Sequence, residues 1–264
     1  MTDARLALAD RALADAAVHL ASRAPGGATE EREGLVLFAG AHRYPGPYCN
    51  GMVRLDRAMA APEAIALAQA FFTPRRRGFV VWARSGVDDD LVRCSRERGW
   101  FERPPAQGMP LMVCDANPEG GHDERALETI TTPEQADHYL GVVADAYGMS
   151  QAPPPLLQAL FFTPGAVLAD GAIAVLLEDG GRPAAGAMAV IRDQLACVLW
   201  AATSPWARGR GLGPTCMRAI TRAAFDRGAG LVVAQSSQIG LAHWTRLGFE
   251  LIGTYRRFLA TLTP

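Results

Sequence analysis

Apolar positions along the chain alternate between short runs of strand length and longer stretches with helical spacing. Leu6, Leu13, Val18 and Leu20, set among alanines, predict a helix from Asp3 to about Ser22, which Ala24-Pro25-Gly26-Gly27 ends. Gly34-Leu35-Val36-Leu37-Phe38-Ala39 reads as a strand, and Met52-Val53-Arg54-Leu55-Asp56 alternates as a second one should. Between them lies the polar and aromatic loop His42 to Asn50. Ile65, Ala68 and Phe72 share one face of a helix from Pro62 to Phe72. Phe79-Val80-Val81-Trp82-Ala83 then predicts a buried strand, Asp88 to Arg98 a helix, and Met109 to Cys114 another strand.

Asn117-Pro118-Glu119-Gly120-Gly121 has linker composition, so two domains are expected, residues 1–119 and 120–264. In the second, Leu127 to Ile130 is strand-like, and Thr132-Pro133-Glu134-Gln135 opens a helix as a capping box with proline at its first position. That helix should end near Tyr147-Gly148, and a shorter one follows Pro153-Pro154-Pro155, from Leu156 to Phe162. Ile173 to Leu177, Gly186 to Ile191 and Leu195 to Trp200, joined by Asp179-Gly180-Gly181-Arg182 and Asp193-Gln194, predict an antiparallel meander. A helix to about Arg227, the strand Leu231 to Ala234, a further helix and a last strand, Tyr255 to Leu259, complete the order. The first half echoes it: Phe79-Val80-Val81 corresponds to Leu231-Val232-Val233, and Gly99-Trp100 to Gly248-Phe249. This is a weak internal duplication.

At 264 residues with 49% hydrophobic positions the chain can bury a substantial core. A net charge of −1 supplies no field for nucleic acid or an anionic membrane, and no run is long and apolar enough to span a bilayer. The alanine-rich start is interrupted by Asp10, Arg11 and Asp15, unlike a secretory leader, so a cytoplasmic protein is expected. Its five cysteines are scattered, never Cys-x-x-Cys, and read as small buried hydrophobes, with no metal site expected.

The chemistry concentrates in Arg208-Gly209-Arg210-Gly211-Leu212-Gly213, between a predicted strand and a predicted helix. Glycines there let backbone N–H groups converge beside the positive end of a helix dipole, a geometry that receives phosphate. A Walker loop needs a lysine, and all 26 Lys and Arg residues are Arg. The dinucleotide fingerprint needs Gly-x-Gly-x-x-Gly, whereas Gly209, Gly211 and Gly213 alternate.

The hexapeptide resembles the Arg/Gln-x-x-Gly-x-Gly/Ala motif of the GNAT superfamily of N-acetyltransferases. Ser237-Gln238-Ile239-Gly240 and Trp244-Thr245-Arg246-Leu247-Gly248-Phe249 resemble that family's next helix and its Leu-Gly-Phe ending. The resemblance spans about Asp123 to Pro264 and implies an α/β (α+β) fold of two tandem GNAT-like domains, the first degenerate. Each would be a mixed, mostly antiparallel sheet flanked by helices.

It also implies acetyl-CoA as co-substrate and an unidentified amine, of a small molecule or peptide, as acceptor. The CoA anchor carries over onto Arg208, Gly209, Arg210, Gly211, Leu212 and Gly213, with Thr215 able to donate to the same phosphates. Arg210 could equally point to solvent. Ala202 and Thr203 would hydrogen-bond the pantetheine arm and aim a backbone N–H at the carbonyl oxygen. Trp244 stands where the family usually keeps an acidic Tyr; it would keep a flat surface beside the CoA arm, but an indole N–H is no useful acid. Ser237 could contact the CoA arm or cap a helix. His243 reads as structural or surface. Asp145, Tyr147, Glu178 and Tyr255 are the candidate bases, with a water chain as an equal contender. A homodimer stays open, and a non-catalytic acyl-CoA sensor is the alternative to an enzyme.

Overall fold

The structure is a computed structural model and describes residues 2–46, 48–118 and 127–261. Pro47 of the aromatic loop and the expected linker from Glu119 onward lie outside the described residues. In chain order the elements are α1 (Thr2–Ser22), β1 (Ala28–Arg32), β2 (Leu35–Ala39), β3 (Asn50–Arg54), α2 (Ala61–Phe72), β4 (Phe79–Arg84), α3 (Asp89–Glu97), β5 (Phe101–Arg103) and β6 (Met109–Cys114). Then come β7 (Leu127–Thr129), α4 (Pro133–Ala146), α5 (Pro154–Leu160), α6 (Pro164–Leu168), β8 (Ala172–Asp179), β9 (Arg182–Arg192), β10 (Leu195–Thr203), α7 (Leu212–Asp226), β11 (Leu231–Gln235), α8 (Leu241–Arg246) and β12 (Glu250–Ala260).

These elements form two compact units that do not follow chain order. One holds the chain through Leu111 and again from Ile252, and the other holds Met112–Leu251. The last strand, expected in the second domain, therefore contributes to the first unit: Tyr255–Ala260 run antiparallel to Arg84–Phe79. Pairing of this kind is decided by contacts far apart in sequence, which local pattern does not encode.

In the first unit the strands lie in the order β1-β2-β3-β4-β12, with β5 also paired to β12. Only β3 and β4 among these run parallel, Gly51–Val53 beside Val80–Trp82, joined over α2. The core is aliphatic and aromatic. Leu35, Leu37 and Met52 meet Ile65, Phe71 and Phe72 of α2, Leu91 of α3 and Phe258 of β12. Because β2 and β4 are covered on both faces, they read as continuous apolar runs rather than alternating ones.

The second unit repeats the pattern. Its order is β11-β10-β9-β8-β7, antiparallel except for β10 and β11, which run parallel and are joined over α7. α7 lays Leu212, Cys216, Met217, Ile220 and Ala224 on small residues of the sheet, Ala185, Ala187, Ala189, Ala196 and Val198. The small side chains let helix and sheet approach closely. On α4 the predicted capping box is formed: the Thr132 hydroxyl accepts from the Gln135 N–H at 3.2 Å, and the Gln135 side chain accepts from the Thr132 N–H at 3.2 Å.

Candidate functional site

The site begins where two parallel strands part. β10 and β11 pair from Leu195 beside Leu231 to Val198 beside Ala234. On its other edge β10 pairs with β9 as far as Thr203 beside Ala185, but the register shifts between Leu199 and Ala202. Trp200 sits in that bulge with φ of +52°, a left-handed conformation that costs a bulky residue about 1–2 kcal/mol. Tyr139 of α4 holds it there, donating its hydroxyl to the Trp200 carbonyl at 2.9 Å. The Tyr139 ring stacks on Phe162 and lies so close to Gly186 that a Cβ there would stand 2.6 Å from Cδ2. Gly186 is thus glycine because the ring occupies its side-chain space. The consequence is an opened carboxyl end of two parallel strands, the place where open α/β sheets receive ligands.

The glycine loop closes one side of that opening. Ser204 donates its N–H to the Ala184 carbonyl, a 3₁₀ turn covers Pro205–Ala207, and the chain reaches Gly209 and Gly211 with φ of +79° and +78°. Gly211 is the N-cap of α7, which starts at Leu212 and carries Pro214 in its first turn. A helix's first N–H groups have no partner within the helix, so Leu212 and Gly213 present theirs at the exposed loop. Gly213 lies close to β10: a Cβ would stand 2.8 Å from the Thr203 hydroxyl oxygen, which would have to turn away. Gly209 meets nothing within 4 Å, so its requirement is conformational.

The loop's side chains divide. Arg208 donates to the Thr203 carbonyl at 3.4 Å and to the Ala146 carbonyl at 3.3 Å, bracing the loop between β10 and the end of α4. Arg210 is ion-paired to Asp179, while Arg182 lies over the Trp206 ring at 4.4 Å. Thr215 turns its hydroxyl back to the Gly211 carbonyl at 3.1 Å.

Loop, Ala202, Thr203 and Thr215 come together at this end of β10. Trp244 belongs to the core beneath it, 4% exposed, its ring 4.7 Å from that of Phe249. Ser237 accepts the Gly240 N–H at 3.1 Å in the turn that precedes α8, whose N-cap, Gly240, has no side-chain cap. Tyr255 is in the first unit, buried, donating its hydroxyl to Asp10, and that burial raises its pKa well above the ordinary range. Asp145 and Glu178 are half-buried and Tyr147 is exposed. All five cysteines are buried, and burial pushes the Cys49 thiol up to about 12. Among the described residues no group of His, Cys, Asp and Glu is placed to hold a metal ion, and no helix is long and apolar enough to cross a membrane.

Sequence reading passed over Tyr139, Gly186 and the bulge at Trp200. The run Leu195–Trp200 is apolar throughout, and nothing in such a run marks one tryptophan as left-handed.

Residues 144–249 match the model of the acetyltransferase (GNAT) family. The protein carries a GNAT domain. A GCN5-related N-acetyltransferase from Kribbella flavida is 19% identical over 97% of this chain and 96% of its own, with a TM-score of 0.68. A tandem GNAT protein from the clavulanic acid biosynthesis pathway is 15% identical over 91% and 85%, with a TM-score of 0.59. A GCN5-related N-acetyltransferase from Sphaerobacter thermophilus is 12% identical over 89% and 82%, with a TM-score of 0.53. These likenesses span both units and show the GNAT fold, tandem arrangement included. Among curated protein sequences none matches the chain.

Proposed function

We propose that the second unit is an acetyl-CoA-dependent N-acetyltransferase. The observation that carries this is the loop Arg208–Gly213. Two left-handed glycines and a third held against Thr203 set the first N–H groups of α7 beside the splayed end of β10. A pyrophosphate fits such a cradle, which offers amide hydrogens, a helix dipole and the Arg208 guanidinium. Among the arginines, Arg208 is the loop charge we assign to CoA, since Arg210 is committed to Asp179. Beyond Val198 the β10 backbone has left β11 and can hydrogen-bond the pantetheine arm.

In the reaction the amine nitrogen attacks the thioester carbonyl carbon. The C–N bond forms, the C–S bond breaks, and CoA leaves as thiolate. A thiol's pKa of about 8.5 lets the thiolate depart near neutral pH without a side-chain acid. That suits Trp244, which is packing, and Ser237, whose hydroxyl oxygen is taken up by the Gly240 N–H. The amine proton passes to water. The first unit serves as scaffold, and the protein works in the cytoplasm.

Calorimetric titration with acetyl-CoA, on the natural protein and on Gly211→Asp, tests this reading. Binding should saturate in the first and weaken in the second by about 2 kcal/mol, roughly 30-fold, because a carboxylate would face the pyrophosphate. Equal binding by both proteins would remove the loop as anchor. Binding without turnover of any amine would make the protein an acyl-CoA sensor.

A further inference from the structure

We propose that Tyr147, Phe161 and Trp200 form the acceptor subsite, and that the acceptor is a primary amine carrying an aromatic tail. This rests on the transferase reading for the position of the thioester. The three rings touch pairwise: centroids lie 5.5 Å apart for Tyr147 and Phe161, 5.8 Å for Tyr147 and Trp200, and 5.1 Å for Phe161 and Trp200. Both contacts with Trp200 are edge-on, at 77° and 88°.

Their place in the fold matters as much as their chemistry. Trp200 is the bulged residue of β10, just past the last pair with β11, so the cluster adjoins the strand backbone assigned to the thioester arm. It is held by Tyr139 and buried, a fixed wall. Tyr147 is 59% exposed and Phe161 half-exposed, so the cluster opens outward. The neighbouring α5 is apolar except for Gln158, yet only Leu157 is fully buried, and Leu156 and Leu160 stay half-exposed. Apolar surface gathered beside a reaction centre is what a ligand's apolar part covers.

The geometry favours a ring over an alkyl chain. Rings meeting near right angles offer one face and one edge to a third ring, which gains quadrupole attraction beyond the area it buries. An aliphatic tail gains area alone. Charge does not decide between acceptors, because Arg208 on the Ala146 carbonyl and Asp145 in the same turn of α4 put one charge of each sign there.

The test pairs binding with turnover. 2-Phenylethylamine and butylamine share the ammonium pKa class and differ in the ring, so each is titrated calorimetrically into the natural protein, Tyr147→Ala, Phe161→Ala and Phe161→Leu. The same four proteins are assayed for acetyl transfer to both amines and to spermidine, and titrated with acetyl-CoA. The expected result is binding and KM about tenfold in favour of phenylethylamine. All three variants should lose that preference while acetyl-CoA binding holds. Phe161→Leu keeps apolar bulk without the ring, so its loss of preference separates the subsite from a folding defect. Equal treatment of the two amines, or preference for spermidine, overturns the proposal, as does a preference that survives in the variants. If the variants instead change selection between acetyl-CoA and hexanoyl-CoA, the rings line an acyl pocket and the proposal falls. Phenylethylamine binding that the variants abolish, in a protein that does not bind acetyl-CoA, would keep the subsite and sink the transferase reading.

Discussion

The two units build the same junction and finish it differently. In each, a strand, a helix and a second parallel strand bring two carboxyl ends side by side. In the second unit the ends part over a bulge and a glycine loop. In the first they are stitched together. Arg54, directly after the last parallel pair, is 1% exposed and donates to the Met59 carbonyl at 3.0 Å, to Asp88 at 2.8 Å and to Asp90 at 2.6 Å. Arg84, ending β4, donates to Asp88 at 2.8 Å, to Asp10 at 2.7 Å and to the Arg54 carbonyl at 3.1 Å. The connection after β3 has no glycine, and Ala58 there donates its N–H to Asp56. The same junction is therefore left open by a bulge and a glycine loop in one unit and closed by ion pairs across the strand ends in the other.

The sharpest way to break the contrast is Arg54→Met. It leaves Asp88, 1% exposed, and Asp90 without their shared guanidinium, and loss of one partner from a buried ion pair costs about 3–5 kcal/mol. Arg210→Met removes the corresponding pair in the second unit, where both partners are partly exposed, and should cost about 1 kcal/mol or less. Urea unfolding of the two variants reads the difference directly. Similar losses would show that the ion pairs of the first unit are no more structural than a surface pair.

A second test uses protons. The network holds two guanidiniums, Arg54 and Arg84, against three carboxylates, Asp10, Asp88 and Asp90. The surplus charge falls on Asp10, whose burial pushes its pKa up to about 6 although Arg84 and the Tyr255 hydroxyl pull it down. Asp90 moves the other way, to about 2, chiefly through its hydrogen bonds from Arg54. Between pH 4 and 6 the folded state thus holds a proton on Asp10 that the unfolded chain has released, so this group's stabilisation declines as pH rises through that window. Asp90 contributes stability above pH 4 that is lost as pH falls towards 2. Comparing the natural protein with Asp10→Asn cancels the Asp90 part. The stability difference between the two should fall by at most about 3 kcal/mol from pH 4 to pH 7 and then stay level. A flat difference would mean that Asp10 is an ordinary carboxylate and that the network carries its surplus charge elsewhere.

What could be read from sequence follows the same division. Gly209 and Gly211 were legible because each meets a backbone demand that glycine alone meets at low cost, φ near +80°, and Gly213 because a side chain there would crowd the Thr203 hydroxyl. The capping box at Thr132 was legible because its partners are three residues apart. The Tyr255 hydroxyl was not, since its partner Asp10 is 245 residues away. Nor was Trp244: a helix of six residues, Leu241–Arg246, is too short for periodicity to say which face is buried. The bulge escaped for a further reason. Tyr139, on another element, bonds the backbone carbonyl of the bulged residue, and no residue type within Leu195–Trp200 announces that.

Tyr139→Phe is accordingly the finest probe of the contrast. In the first unit the ladder between β2 and β3 runs unbroken from Leu35 beside Arg54 to Ala39 beside Asn50, whereas β9 and β10 slip between Leu199 and Ala202. Removing one hydroxyl leaves the ring, its stacking on Phe162 and its fit against Gly186 in place, and takes away the bond to the carbonyl of the left-handed Trp200, with its longer 3.4 Å approach to the Leu199 carbonyl. The expected loss of stability is about 1 kcal/mol. Freed of that bond, Trp200 gains from returning to an extended conformation, which would pair β10 more regularly with β9 and narrow the gap beside β11. Acetyl-CoA affinity should then fall by a few-fold, in step with the stability loss and by far less than in Gly211→Asp. If stability drops while affinity is untouched, Tyr139 is packing alone and the bulge is held by the strand's own connections to the glycine loop.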